Sequence, residues 1–164
     1  MAALTAVNPV VVGKDTSMAT VKMLILNGQS WNAGQFLYVD TSGLLNACAS
    51  DADAATGGIK YYALTDQTDP GNSTTEAEVG IITSDTIFEG NELDGTVTQA
   101  NIGPFYAIDV TSNVVTVDVG DTSNDAVVIT DIGSEFSPAQ YNTDDTKAKI
   151  RFRILNIALE AAPA

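Results

Sequence analysis

Phe105-Tyr-Ala-Ile-Asp-Val-Thr-Ser-Asn-Val-Val-Thr-Val-Asp-Val119 decides the fold class. Tyr106, Ile108 and Val110 fall two residues apart and share one face of an extended chain. After Thr111-Ser-Asn113, the residues Val115, Val117 and Val119 continue an apolar face while Thr116 and Asp118 turn the other way. Period-two patterning on both arms of a short polar turn is the signature of a β-hairpin with one buried face.

The rest of the chain repeats this grammar. Runs rich in Val, Ile, Thr, Tyr and Phe occur at Pro9–Val12, Ala19–Leu26, Gln35–Asp40, Leu44–Ala49, Ile59–Thr65 and Glu76–Thr83. Others are Thr86–Glu89, Phe105–Val110, Val114–Val119, Ala126–Asp131 and Lys147–Leu159. Asn27-Gly28, Asp40-Thr-Ser-Gly43, Asp69-Pro-Gly71 and Asp94-Gly95 punctuate them with residues that favour turns. No long amphipathic helix and no fixed-period repeat interrupts the series. The expectation is an all-β fold, a barrel or jelly-roll-like sandwich of about eleven short strands. Residues 1–18 lack alternation and read as an extended N-terminal arm or a frayed end, leaving a single β-domain over 19–164. Within the arm, Val10-Val-Val12 needs burial and follows the extended-favouring Asn8-Pro9, so it is expected to add to a sheet or lie on a neighbour.

Composition narrows the function. The chain has 164 residues, of which 45% are hydrophobic, enough to bury a core without disulfides. Apolar runs such as Met23-Leu-Ile-Leu26 are far too short to span a bilayer, and the first residues carry no positive n-region of a secretory signal. Seven basic residues against twenty-one acidic ones give a net charge of −14. Such a surface repels phosphate backbones and anionic lipid, so neither nucleic acid nor membrane is an expected partner. There is no histidine, which removes Ser-His-Asp and Cys-His nucleophile pairs and histidine metal sites. Carboxylate-only catalysis of the glycosidase kind is left in principle.

The acidic clusters do not amount to a metal centre. Asp51-Ala-Asp53 and Asp121-Thr-Ser-Asn-Asp125 alternate oxygen ligands, but lack the glycine and the downstream bidentate Glu of an EF-hand loop. Asp144-Asp145 are adjacent and diverge on an extended chain. Cys48, the only cysteine, sits among apolar residues with no basic neighbour and reads as an inert buried thiol. No metal, cofactor or catalytic residue is therefore assigned. One constellation stands out. Lys147, Lys149, Arg151 and Arg153 alternate with Ala148, Ile150, Phe152 and Ile154, so a strand here puts four of the seven cations on one face. That ridge either neutralises nearby Asp and Glu within the domain or docks on an acidic partner. Trp31, the one tryptophan, is either core or an interface anchor. The candidate interface residues are thus Val10, Val11, Val12, Trp31, Lys147, Lys149, Arg151 and Arg153.

A further signal lies in the run Trp31-Asn-Ala-Gly-Gln-Phe-Leu-Tyr-Val-Asp-Thr-Ser-Gly-Leu-Leu-Asn-Ala-Cys-Ala-Ser-Asp51. Together with Thr86-Ile-Phe-Glu-Gly-Asn91, Ile102–Ile108, Val117–Ile129 and the closing Ile150-Arg-Phe-Arg-Ile154, it resembles the small head decoration, or cement, proteins of tailed bacteriophages. The resemblance spans about residues 28–155 and is one of pattern and order. It implies a non-enzymatic virion protein made in the host cytoplasm. Such a protein binds the major capsid protein on the outer capsid surface and bridges capsomers, often as a homotrimer. The alternative is a carbohydrate- or receptor-binding β-sandwich module of a phage or cell surface, for which grouped exposed aromatics are expected.

Overall fold

A computed structural model describes residues 5–12, 18–93, 97–132 and 147–161. Among them eleven strands form, each overlapping one of the runs that sequence patterning marks out, although those at Ile87–Asn91 and Phe105–Thr111 run one or two residues past theirs. They are β1 (Val10–Val12), β2 (Thr20–Leu24), β3 (Phe36–Val39), β4 (Leu45–Ala47), β5 (Tyr61–Ala63) and β6 (Glu76–Ile81). The remainder are β7 (Ile87–Asn91), β8 (Phe105–Thr111), β9 (Val114–Asp118), β10 (Val127–Asp131) and β11 (Lys149–Ile154). The chain is all-β, with two antiparallel sheets packed face to face. One has six strands in the order β1-β7-β11-β10-β8-β9, the other five in the order β2-β6-β5-β3-β4.

The β8–β9 hairpin is tighter than its sequence suggests. Thr111 belongs to the strand and pairs with Val114, so the loop is Ser112-Asn113 alone. Their φ angles of 51° and 63° are both left-handed, the geometry of a two-residue type I′ turn. Ile108 lies opposite Val117 and Val110 opposite Val115, which puts the apolar faces of both arms together. Thr116 is a correction. It leaves the apolar face as expected yet is buried, in a cleft that it lines with Thr5, Ala6 and Leu93.

Each sheet curls until its ends approach. A parallel bridge joins Ile25 to Leu45 in the five-stranded sheet, and another joins Glu92 to Val117 in the six-stranded one. Two cores result. Inside the curled five-stranded sheet lie Ile25, Trp31, Leu37, Leu45, Ala63 and Val79. Between the two sheets lies the larger core, centred on Phe36 of β3 with Phe88 and Phe152 of β7 and β11. Phe36 and Leu37 are consecutive, so they point to opposite faces of β3, and both faces are buried. Phe36 meets Phe88 edge-on with centroids 5.1 Å apart, and Phe88 stacks on Phe152 at 5.7 Å. Tyr62 of β5 lies against Phe88 at 5.6 Å.

Two short helices were not evident from the sequence. α1 (Asp51–Thr56) starts where the Ser50 side chain caps the N–H of Asp53 at 3.1 Å. α2 (Asn156–Leu159) follows β11 directly, so the long run Lys147–Leu159 is a strand that ends at Ile154 and then turns helical. Replacing Phe88 with Ala should cost about 3–5 kcal/mol, since the cavity opens where both sheets meet. Denaturant unfolding should show that loss as a lower midpoint with an unchanged slope.

Candidate interaction surface

The ridge on β11 forms as its alternation dictates. Ile150, Phe152 and Ile154 are buried, while Lys149, Arg151 and Arg153 are half-exposed on the opposite side. Arg151 lies directly across from Glu89 of β7, and Lys149 is one diagonal step away. Both reach the same carboxylate at 3.4 Å. Lys147 donates to the backbone carbonyl of Leu93. Glu89 thus pairs with two of the four cations inside the domain and offsets one of their two charges. Arg153, opposite Val128, makes no ion pair with any described residue. It lines an open groove with Phe105, Asp125, Leu155, Asn156 and Ile157.

The N-terminal segment belongs to this chain's own sheet. Val10, Val11 and Val12 pair with Glu89, Phe88 and Ile87, making β1 the edge of the six-stranded sheet. Asn8 clamps the approach. Its Nδ2 donates to the carbonyls of Ala33 at 3.1 Å and Asn113 at 2.9 Å, and its Oδ1 accepts from the Val115 N–H at 2.9 Å. Gly34 makes room for it: a Cβ there would stand 2.6 Å from Asn8 Cβ, and its φ of +90° already favours glycine. The Tyr62 hydroxyl donates to the Pro9 carbonyl at 2.6 Å. Val7 and Val10 are left 53% and 51% exposed on the outer side, while Val11 and Val12 are half-buried.

Trp31 is core. It is 2% exposed, and its backbone exchanges hydrogen bonds with Gln67 at 2.8 and 3.0 Å across an isolated bridge. An anchor for an outside partner it is not. The acidic pairs have local duties as well. Asp53 Oδ2 accepts from the Ala49 N–H at 3.0 Å, and Asp51 Oδ2 accepts from Asn124 at 2.7 Å. Asp121 takes the Ser123 N–H at 2.7 Å, and its hydrogen bonds from Ser123 hold its carboxyl below the usual range. Asp69, likewise depressed, accepts from the N–H groups of Gly71 and Gly28, which ties two turns together. Among the described residues no group of three or more Cys, Asp or Glu side chains could hold a metal. Asp144-Asp145 and the Asp94-Gly95 turn lie outside the described residues.

The Phe105–Ile157 groove was missed in the sequence, though one signal was present. Phe105 falls out of phase with Tyr106, Ile108 and Val110, so an extended strand must turn it outward. It is the only exposed aromatic side chain among the described residues. Also among them, no helix is long and apolar enough to cross a membrane. No family model, curated protein or solved structure matches the chain. The geometry and the sequence pattern therefore carry the functional reading by themselves.

Cys48 supplies a pH test of the larger core. Burial first, and then the neighbouring Asp53 carboxylate, pushes its thiol from 9.0 up to about 12. The folded chain holds the thiol proton more tightly than the unfolded one. This term therefore favours folding fully below about pH 9 and fades as the pH rises toward 12. At about pH 8 a thiol reagent should modify the unfolded chain and spare the folded one. Between pH 9 and 12 the wild type should lose stability faster than Cys48→Ala. Equal slopes, or rapid labelling of the folded protein, would place the thiol at the surface.

Proposed function

We propose that this chain is a structural virion protein that binds the outside of a tailed-phage capsid, bridges or stabilises capsomers, and acts as a homotrimer. The resemblance in sequence pattern and order supports this reading. The observation that carries it is the open edge of the six-stranded sheet. β1 is only three residues long and, among the described residues, pairs on one side, with Val7 and Val10 exposed. An edge of this kind offers unpaired backbone groups and apolar side chains to an incoming strand or to a flat protein surface. The body behind it is fixed by the Asn8 clamp, so docking requires little ordering of the arm. Net negative charge suits the solvent side of a shell better than the side that faces packaged DNA. A single exposed aromatic among the described residues gives little footing for a sugar-stacking platform, which disfavours the carbohydrate-binding alternative.

The test is to mix the purified chain with expanded capsids assembled from the major capsid protein encoded in the same genome, and to image the particles. Density at defined lattice positions outside the shell is the expected result. Val7→Asp with Val10→Asp should weaken binding at least about tenfold, equivalent to 1.4 kcal/mol, while leaving the melting temperature within a few degrees. Bare particles, or unchanged binding by the double variant, would sink the edge-docking reading. Deleting residues 1–13 is a poorer probe, because it also removes the Asn8 clamp and three paired residues of the sheet.

A further inference from the structure

We propose that Asn27 is a site of spontaneous deamidation, and that the Asp69 carboxylate is the group that holds the reaction back while the chain is folded. This site is independent of the capsid reading. Asn27-Gly28 is the only Asn-Gly pair in the 164 residues. Glycine has no side chain to crowd its own nitrogen, so Asn27 is the asparagine whose side-chain carbonyl the next amide reaches with least hindrance. Both residues are exposed, at a turn just after β2. Among the described residues no hydrogen bond takes up the Asn27 side chain.

The reaction is a ring closure followed by hydrolysis. The Gly28 nitrogen gives up its proton to hydroxide and attacks Asn27 Cγ, so a new N–C bond forms and the Cγ–Nδ2 bond breaks. The side-chain nitrogen takes a proton from water and leaves as ammonia. Water then opens the cyclic imide at either carbonyl, which leaves aspartate or isoaspartate at position 27. No oxidation or reduction is involved, and the chain gains one negative charge.

Two features of the fold withhold the attacking nitrogen. The first is the turn. The Gln29 N–H donates to the Leu26 carbonyl at 3.2 Å and Gly28 has a φ of +90°, the pattern of a type II turn with Asn27 at its first central position. Ring closure requires the Gly28 nitrogen to eclipse Asn27 Cβ, and the central peptide of a type II turn is rotated well away from that position. The second is Asp69. Its Oδ1 accepts from the Gly28 N–H at 2.8 Å and from the Gly71 N–H at 2.9 Å. Those bonds hold its carboxyl below the usual range, so it is ionised at neutral pH. A charged acceptor stabilises the N–H that has to be lost, and its negative charge opposes the amide anion that attacks. The two turns are bolted together elsewhere as well. The Asn27 N–H donates to Ser73 Oγ at 3.0 Å, and the Asp69 N–H donates to Ser30 Oγ at 2.9 Å. Asn27 therefore reacts when these turns part.

Peptide mapping by mass spectrometry after incubation in mildly alkaline buffer tests this, with the aspartate and isoaspartate peptides separated by chromatography. In urea, the unfolded wild type should convert Asn27 before any other asparagine and yield both products. The folded wild type should convert it at least about tenfold more slowly, a factor that one charge-assisted hydrogen bond can supply. That comparison needs no variant. Folded Asp69→Ala should regain about tenfold in rate with its melting temperature nearly unchanged, since the side chain is at the surface. Ser73→Ala loosens the same turns but leaves the Gly28–Asp69 hydrogen bond, so it should accelerate the reaction less. Equal rates for folded and unfolded wild type, or another asparagine converting first in urea, would overturn the proposal. So would an Asp69→Ala rate no higher than wild type, or a Ser73→Ala rate that matches it.

Discussion

The packing of Phe36 against Phe88 and Phe152 is the contact on which everything else in this fold depends. The three rings come from three strands in two sheets, and they meet edge-on and stacked within 5.1–6.4 Å. Neither sheet is large, and several of their strands are three or four residues long. Strands of that length gain little from hydrogen bonding alone and need a shared apolar face. The arm depends on the same cluster. Tyr62 packs on Phe88 and holds the Pro9 carbonyl, while Gly90 leaves the space in which Pro9 and Phe152 come close. A Cβ on Gly90 would stand 3.2 Å from the Phe152 ring.

Much of this fold was legible because period-two alternation is a local signal. β11 is the clearest case, with Ile150, Phe152 and Ile154 inward and the cations outward as the letters require. The turns at Asp40–Gly43 and Asp69–Gly71 were equally legible, since Asp and Gly have local reasons to sit there. Helix α1 has a local signal in Ser50 and Asp53, which stand three apart at a helix start, but the alternation of Asp51 and Asp53 is equally that of oxygen ligands. What stayed hidden is what depends on distant partners. Curling of the sheets rests on single bridges, Ile25 to Leu45 and Glu92 to Val117, that leave no periodic trace. Trp31 is buried inside the curled five-stranded sheet, and Thr116 shares a cleft with Thr5 and Ala6, more than a hundred positions earlier. Asn8 looks like any loop asparagine until the hairpin and the Ala33–Gly34 turn are brought to it.

Charge links the fold to its use. With twenty-one acids and seven bases, the placement of each cation matters more than its number. One carboxylate, Glu89, engages both Lys149 and Arg151 and offsets one of the two positive charges in the middle of β11, where β7 and β10 pair beside it. Exposed pairs of this kind contribute about 0–1 kcal/mol, so their role is to set where a like-charged neighbour is tolerated. Val10, Glu89 and Arg151 lie in register across β1, β7 and β11, so the apolar edge and the cations of β11 share one face of the six-stranded sheet.

Native-state hydrogen exchange tests the central claim most directly, because it reads the opening free energy of each strand separately. If the phenylalanine cluster unites the sheets, amides of β3 and β5 should open with the same free energy as those of β7, β10 and β11, at the global limit. Phe36→Leu should lower all of them together. Two distinct plateaus, with one sheet opening while the other stays protected, would contradict the account and show two independent β units in one chain.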